Sequence, residues 1–161
     1  MTYSLGKQSQ QKLIGVHPDL VAVVRSAITL TTQDFTVHEG VRTIETQREY
    51  VKRGASQTMA SRHLKGSDGF GHAVDLYAWV NGVRWEWSLY EQIADAMRIS
   101  AIKLNTPIRW GGGWLLLNDF KTLTALRAAQ KAYVQERLAA GKKAFTDGPH
   151  FELPKSTRYP Q

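Results

Sequence analysis

Cysteine is absent from the 161-residue chain, so disulfides, thiolate metal sites and cysteine nucleophiles are excluded, and any bound metal must be held by histidines and carboxylates. Long apolar runs are missing as well. No stretch reaches the roughly 18–20 apolar residues of a membrane span, and the N-terminal MTYSLGKQSQQKLIGVHPDL lacks a signal-peptide core. The expectation is a soluble, cytoplasmically made protein. Acidic residues are the minority: 14 Asp and Glu against 21 Lys and Arg leave a net charge of +7, which implies attraction to a polyanion. Nucleic acid, an anionic membrane surface and acidic envelope polymers all fit that description. Zinc-finger spacing, an aromatic RNA-binding sheet motif and long Lys/Arg blocks are lacking, which argues against nucleic acid as partner.

What is present is an ordinary globular composition, 42% hydrophobic with five Trp, and a length that suits one domain over residues 1–161. Leu20, Val23, Val24 and Ala27 or Ile28 recur at helical spacing, which predicts a helix from Pro18 to about Leu30, with a short helical turn before it over Ser9 to Ile14. A strand from Phe35 up to Gly40-Val41-Arg42 and a helix from Ile44 to Lys52, capped by Thr43, follow. Ala73 to Val80 has the content of a buried strand, Asn81-Gly82 is a hairpin turn, and Val83 to Trp87 reads as the return strand. Ser88 and Glu91 form a candidate capping box for a helix ending near Leu104. Ile108 to Trp110 is a short strand, a second long helix is expected from about Asp119 to Ala140 with Leu123, Leu126, Tyr133, Val134 and Leu138 available for burial, and HFEL alternates as a final strand. The fold class is α+β, a small, mainly antiparallel sheet flanked by helices.

The five histidines are His17, His38, His63, His72 and His150. A zinc site built without cysteine needs two or three His and a carboxylate, with one position open for water if it is catalytic. His63 in a loop, Asp75 on a strand and His150 at the start of the last strand are the candidate set. Each alone reads equally as a surface or hydrogen-bonded residue. His17 and His38 read as structural.

Ser61-Arg62-His63, Gly71-His72-Ala73-Val74-Asp75 and Asp147-Gly148-Pro149-His150-Phe151-Glu152 together resemble the signature of the D-alanyl-D-alanine carboxypeptidase and hedgehog-like zinc peptidases. The branch they are most similar to is the phage L-alanyl-D-glutamate endopeptidases. Gly15-Val16-His17-Pro18-Asp19-Leu20, Gly40-Val41-Arg42-Thr43 and Ile108-Arg109-Trp110-Gly111-Gly112 fall in the same order, so the resemblance spans most of the chain. It implies a zinc ion on His63, Asp75 and His150, and Asp147 as general base, although Asp-Gly-Pro is also a turn sequence. It implies a role for Arg42 in binding a substrate carboxylate or the developing oxyanion, and for Ser61 in a hydrogen bond to substrate or to the ligand-bearing loop. Glu152 shares a strand face with His150 by the two-residue period and is the reserve base or partner of that ligand.

In relatives the first His and the Asp stand closer than the twelve positions that separate His63 from Asp75, so residues 64–70 read as a loop insertion. Should that loop fail to close back, His72 becomes the substitute ligand. Lys121, Arg127, Lys131, Arg137, Lys142 and Lys143 make residues 119–143 a cationic insertion suited to an anionic envelope surface, or simply a solvated helix face. The resemblance implies a monomeric endolysin that cuts bacterial peptidoglycan, held in the host cytoplasm until lysis and then acting at the periplasm and cell wall. Its alternatives are a D-Ala-D-Ala carboxypeptidase or a non-catalytic wall-binding protein on the same fold.

Overall fold

The computed structural model describes residues 2–161. In chain order its elements are α1 (Lys7–Lys12), α2 (Pro18–Leu30), β1 (Phe35–Glu39), α3 (Ile44–Lys52), β2 (Ala73–Trp79), β3 (Val83–Arg84), α4 (Trp87–Lys103), β4 (Arg109–Trp110), β5 (Leu115–Leu116), a 3-10 turn (Leu117–Asp119), α5 (Leu123–Ala139) and β6 (His150–Glu152). The strands form one sheet in the order β1-β2-β6-β4-β5, with β3 paired to the far end of β2, and every pairing is antiparallel. The α+β expectation therefore holds.

Strand alternation divides the sheet into two faces. Val74, Leu76, Ala78, Trp110 and Phe151 point into the core, where they meet Leu20, Val23 and Val24 of α2 and Tyr90, Ile93 and Met97 of α4. The alternate residues Asp75, Tyr77, Arg109, His150 and Glu152 face a groove on the other side. Helix α2 starts where expected because Pro18 needs no N–H partner at N1 and the His17 ring accepts the Asp19 N–H at 3.1 Å. Helix α3 is capped by Thr43 Oγ1, which accepts from the Thr46 N–H at 3.1 Å.

Four local expectations are corrected. Strand β1 ends at Glu39 rather than Arg42, because the register slips between Val37 and Glu39. The return strand stops at Arg84, and α4 begins at Trp87 with Glu86 as N-cap. No capping box forms there, since Glu91 accepts instead from Arg127 Nε at 2.6 Å. Helix α5 starts at Leu123, capped by Thr122, and it buries Leu126 and Gln130 while Leu138 stays exposed.

Candidate metal centre and its groove

The site is assembled by sheet register. Asp75 and His150 are direct partners across the β2–β6 ladder, so their side chains leave the same face side by side. His63 comes from the loop and is clamped by backbone: its carbonyl accepts from Arg42 N–H at 2.9 Å, and its Nδ1 donates to Gly40 O at 2.8 Å. That clamp needs glycine at position 40, where a Cβ would stand 2.1 Å from Lys12 O. The insertion closes back on itself. Gly66 N–H bonds Phe70 O at 2.9 Å, and Asp68 Oδ2 takes His72 Nε2 at 2.8 Å, which leaves His72 buried on the face away from Asp75 and outside the site. Arg62 fixes the C-terminal segment beneath this loop by donating to the carbonyls of Leu153, Tyr159 and Pro160.

His63 Nε2 and His150 Nδ1 each lie 3.3 Å from Asp75 Oδ1, which is buried and makes no hydrogen bond. Donor atoms of a tetrahedral zinc site with bonds of about 2.0–2.1 Å are separated by about 3.3–3.4 Å. The spacing and the unpartnered oxygen both fit a cation held between the three donors, which all lie within 4.8 Å of one another. The outer ring nitrogens agree. His63 Nδ1 is engaged by a carbonyl, and His150 Nε2 by Glu152 Oε1 at 2.8 Å, which orients the inner nitrogens toward the shared centre.

The electrostatics are those of a tightly coupled cluster. Burial raises the Asp75 carboxyl, but the pull of His63 and His150 outweighs it and holds it well below the usual carboxylate range. Burial works against a charged His150, yet the Asp75 and Glu152 carboxylates push its pKa up to about 10. A cation must therefore displace a proton to use His150. Asp147 lines the same groove, and burial together with the Asp75 charge raises its carboxyl above the ordinary value. Its loop is pinned by Asp147 N–H to Gly111 O and Gly111 N–H to His150 O, both 2.8 Å.

Arg42 lies in the groove wall but is already engaged. Its Nε and Nη2 pair with Glu39, its Nη1 donates to Gln47 at 2.7 Å, and its guanidinium carbon sits 4.5 Å from the Tyr50 ring centroid. Glu39 reaches this position through the β-bulge at Val37–Glu39, which places it opposite Asp75. Ser61 Oγ accepts from the His63 N–H at 3.2 Å, so it shapes the ligand loop while lining the groove.

The groove encloses about 1040 Å³ and has walls that the sequence reading did not single out. On the β1–β2 side His38 stacks on Tyr77 at 4.0 Å, with Trp85 at 4.8 Å from Tyr77. On the β4–β5 side Trp114 stands 5.5 Å from His150 and stacks on Phe145 at 5.7 Å, while Arg109 donates to Glu152 Oε2 at 2.9 Å. Tyr77 was findable, since it lies two residues from Asp75 on the same strand. Trp114 and Phe145 carry no such local signal.

A family model described as phage L-alanyl-D-glutamate peptidase matches residues 1–154. The L-alanyl-D-glutamate peptidase of Escherichia phage T5 is 28% identical over 126 residues, covering 74% of this chain and 88% of its own length. The crystal structure of the Serratia marcescens L-Ala D-Glu endopeptidase ChiX superposes with a TM-score of 0.66 at 40% identity, covering 92% of this chain and 87% of that one.

Proposed function

Because the chain belongs to the phage L-alanyl-D-glutamate peptidase family, we propose that it is a zinc-dependent endopeptidase that hydrolyses the L-alanyl-D-glutamate amide of the peptidoglycan stem. The observation that carries this reading is the convergence of His63 Nε2, Asp75 Oδ1 and His150 Nδ1 on one point of an open groove that the half-buried Asp147 carboxyl, of raised pKa, also lines. His63, Asp75 and His150 would hold the zinc ion, which would supply Lewis acidity to a water and to the scissile carbonyl.

The chain's own residues supply the rest. Asp147 takes the proton of the attacking water on its carboxylate and passes it to the departing amine, a task suited to a carboxyl whose pKa is moved toward neutrality. Glu152 holds the His150 ring through Nε2, and Gly40 O holds that of His63, so neither ligand rotates out of place. Arg42, fixed by Glu39 and Gln47, contributes positive potential at the groove wall, and Ser61 keeps the ligand loop in shape and offers its hydroxyl to the substrate.

The whole chain works as one catalytic domain, a monomer acting on peptidoglycan, made in the host cytoplasm and reaching the wall at lysis. Among the described residues no helix is long and apolar enough to cross a membrane. Of the cations in residues 119–143, Arg127 is paired with Glu91 and Arg137 with the Lys143 carbonyl, which leaves Lys121, Lys131, Lys142 and Lys143 exposed for transient contact with an anionic envelope.

Purified sacculi are incubated with the protein before and after chelation and after zinc is restored, and the released ends are identified by mass spectrometry. The expected products carry a new N-terminal D-glutamate, formed only with metal. Release of terminal D-alanine would instead make the protein a carboxypeptidase, and an unchanged sacculus a wall-binding protein.

A further inference from the structure

Sheet register fixes which end of the groove lies next to Asp147. Asp75 and His150 are partners in the β2–β6 ladder, and the Leu76 N–H bonds Pro149 O at 2.9 Å, so the next groove-facing residue of β2, Tyr77, stands alongside Gly148 and the Asp147 loop. That end of the groove extends past β3. Trp79 pairs with Val83 and Ala78 with Arg84, which sets Trp85 beside Tyr77 with the ring centroids 4.8 Å apart. Tyr90 underlies both parts, since its ring is stacked 6.2 Å from that of Trp85 and a Cβ at Gly148 would touch it at 3.4 Å. Asp147 and Trp85 therefore share one side of the metal centre, and Glu152 with Arg109 lies on the other.

Trp85 is the tryptophan of the groove with a free face. It is 63% exposed, and among the described residues its indole N–H has no partner, whereas that of Trp114 donates to Phe145 O at 3.2 Å. Trp114 is also stacked on Phe145 and has the Arg109 guanidinium 5.6 Å from its centroid. Yet Trp85 is held in place. Tyr77 meets it edge to face, His38 is stacked on Tyr77 at 4.0 Å, and the Trp85 backbone N–H bonds Glu86 Oε2 at 3.2 Å. Arg84 and Glu86 pair with each other outside the groove lining. A fixed, open indole beside a phenol suits a cation on an alkyl chain, which gains from the negative ring faces and from apolar contact.

The departing half of the substrate carries such a cation. Asp147 must reach the D-glutamate nitrogen to protonate it, so the departing peptide leaves on the Asp147 side. D-Glutamate continues through its γ-carboxyl into a diamino acid, whose α-carbon lies six bonds, or about 7–8 Å, from the scissile nitrogen. Tyr77 stands one two-residue step, about 6.8 Å, beyond the ligand Asp75. The two lengths match. We propose that Tyr77 and Trp85 form the subsite for this diamino acid, binding its side-chain ammonium and alkyl chain, so that the enzyme prefers stems in which that nitrogen is free to stems in which a cross-link acylates it. The inference rests on the reading that the L-alanyl-D-glutamate amide is the bond cut.

The test uses N-acetylated L-Ala-γ-D-Glu-X peptides in which X is lysine, Nε-acetyl-lysine or norleucine, with zinc-loaded wild type, Trp85→Ala and Trp85→Phe. Wild type is expected to favour lysine over both others by about 3- to 30-fold in kcat/KM, carried mostly by KM. Trp85→Ala is expected to bring that ratio close to one, and Trp85→Phe to keep part of it. Each ratio is internal to one protein, so a change in metal content cancels. A wild-type ratio near one, or a ratio that survives in Trp85→Ala, overturns the assignment. A preference for peptides capped by N-acetylmuramic acid that Trp85→Ala abolishes, with no preference for lysine, overturns it too and makes the platform a sugar site. Should Trp85→Ala not fold, the fall in Trp85→Phe decides. Failure of wild type to cut any of these peptides or intact sacculi refutes the peptidase reading itself, a different outcome.

Discussion

Glu152→Gln isolates the support of one ligand from the ligand itself. Glu152 is almost fully buried, and its two oxygens are divided between His150 Nε2 at 2.8 Å and Arg109 Nη2 at 2.9 Å. Burial works against its charge, but His150 and Arg109 hold its carboxyl below the usual range, so it is an anion at neutral pH. Glutamine keeps the volume but has one acceptor oxygen, so its amide group opposes either the His150 N–H or the Arg109 guanidinium. Loss of such an outer partner lowers metal affinity by about 10- to 100-fold, or about 1.4–2.7 kcal/mol. The pH dependence has a sign. The Glu152 charge favours both a proton on His150 and the metal, and a doubly charged ion benefits more than a proton. Removing it therefore weakens zinc binding less at acid pH, where proton competition is relieved too, than near pH 9. Competition against a chromophoric chelator at several pH values reads this directly. A zinc Kd equal to that of wild type throughout would refute the role given to Glu152.

Asp147→Asn is expected to lower kcat by about 10²–10⁴ with zinc still bound, and to stabilise the chelated protein at pH 7, since an amide carries no buried charge. Activity within a few-fold of wild type, measured on sacculi, would remove Asp147 as base. For the chelated wild type, His150 binds its proton more tightly folded, at about 10, than at its ordinary 6.5, so its stabilisation is complete below 6.5 and is lost as the pH rises toward 10. Asp147, also raised, acts in the same direction but begins to do so at its ordinary carboxyl value of 3.8, and thermal denaturation should show Tm falling as the pH rises through the His150 window, with a flatter profile once zinc is added. Gly111→Ala places a Cβ 2.5 Å from Asp147 O and 3.0 Å from His150 Cβ, so a loss of about 1–3 kcal/mol in stability and a marked drop in activity are expected. Unchanged denaturation and turnover would show that the Asp147 loop tolerates displacement.

The elements whose energetics are local were legible in the chain. Pro18 and Thr43 set the starts of α2 and α3 at the expected residues, and the two-residue period of Val74, Asp75, Leu76 and Tyr77 divided the core face from the groove face. The ordered motifs around His63, Asp75 and His150 were enough to nominate the donor set. The capping box at Ser88 was misread because Glu91 had a partner in α5, thirty-six residues away in sequence. Nothing in the chain told whether the 64–70 insertion would return His63 to the site. That depended on Asp68 meeting His72 and on Gly40 and Arg42 receiving the His63 backbone and ring. The state of the two arginines was equally hidden: a bulge in β1 turns Glu39 onto Arg42 and engages it, while the pairing of β4 with β6 sets Arg109 against Glu152 with donors to spare. Helix caps and strand periods are fixed by neighbours along the chain. Ligand spacing, burial of charge and the free edge of a guanidinium are fixed by register between distant segments, which only the folded chain decides.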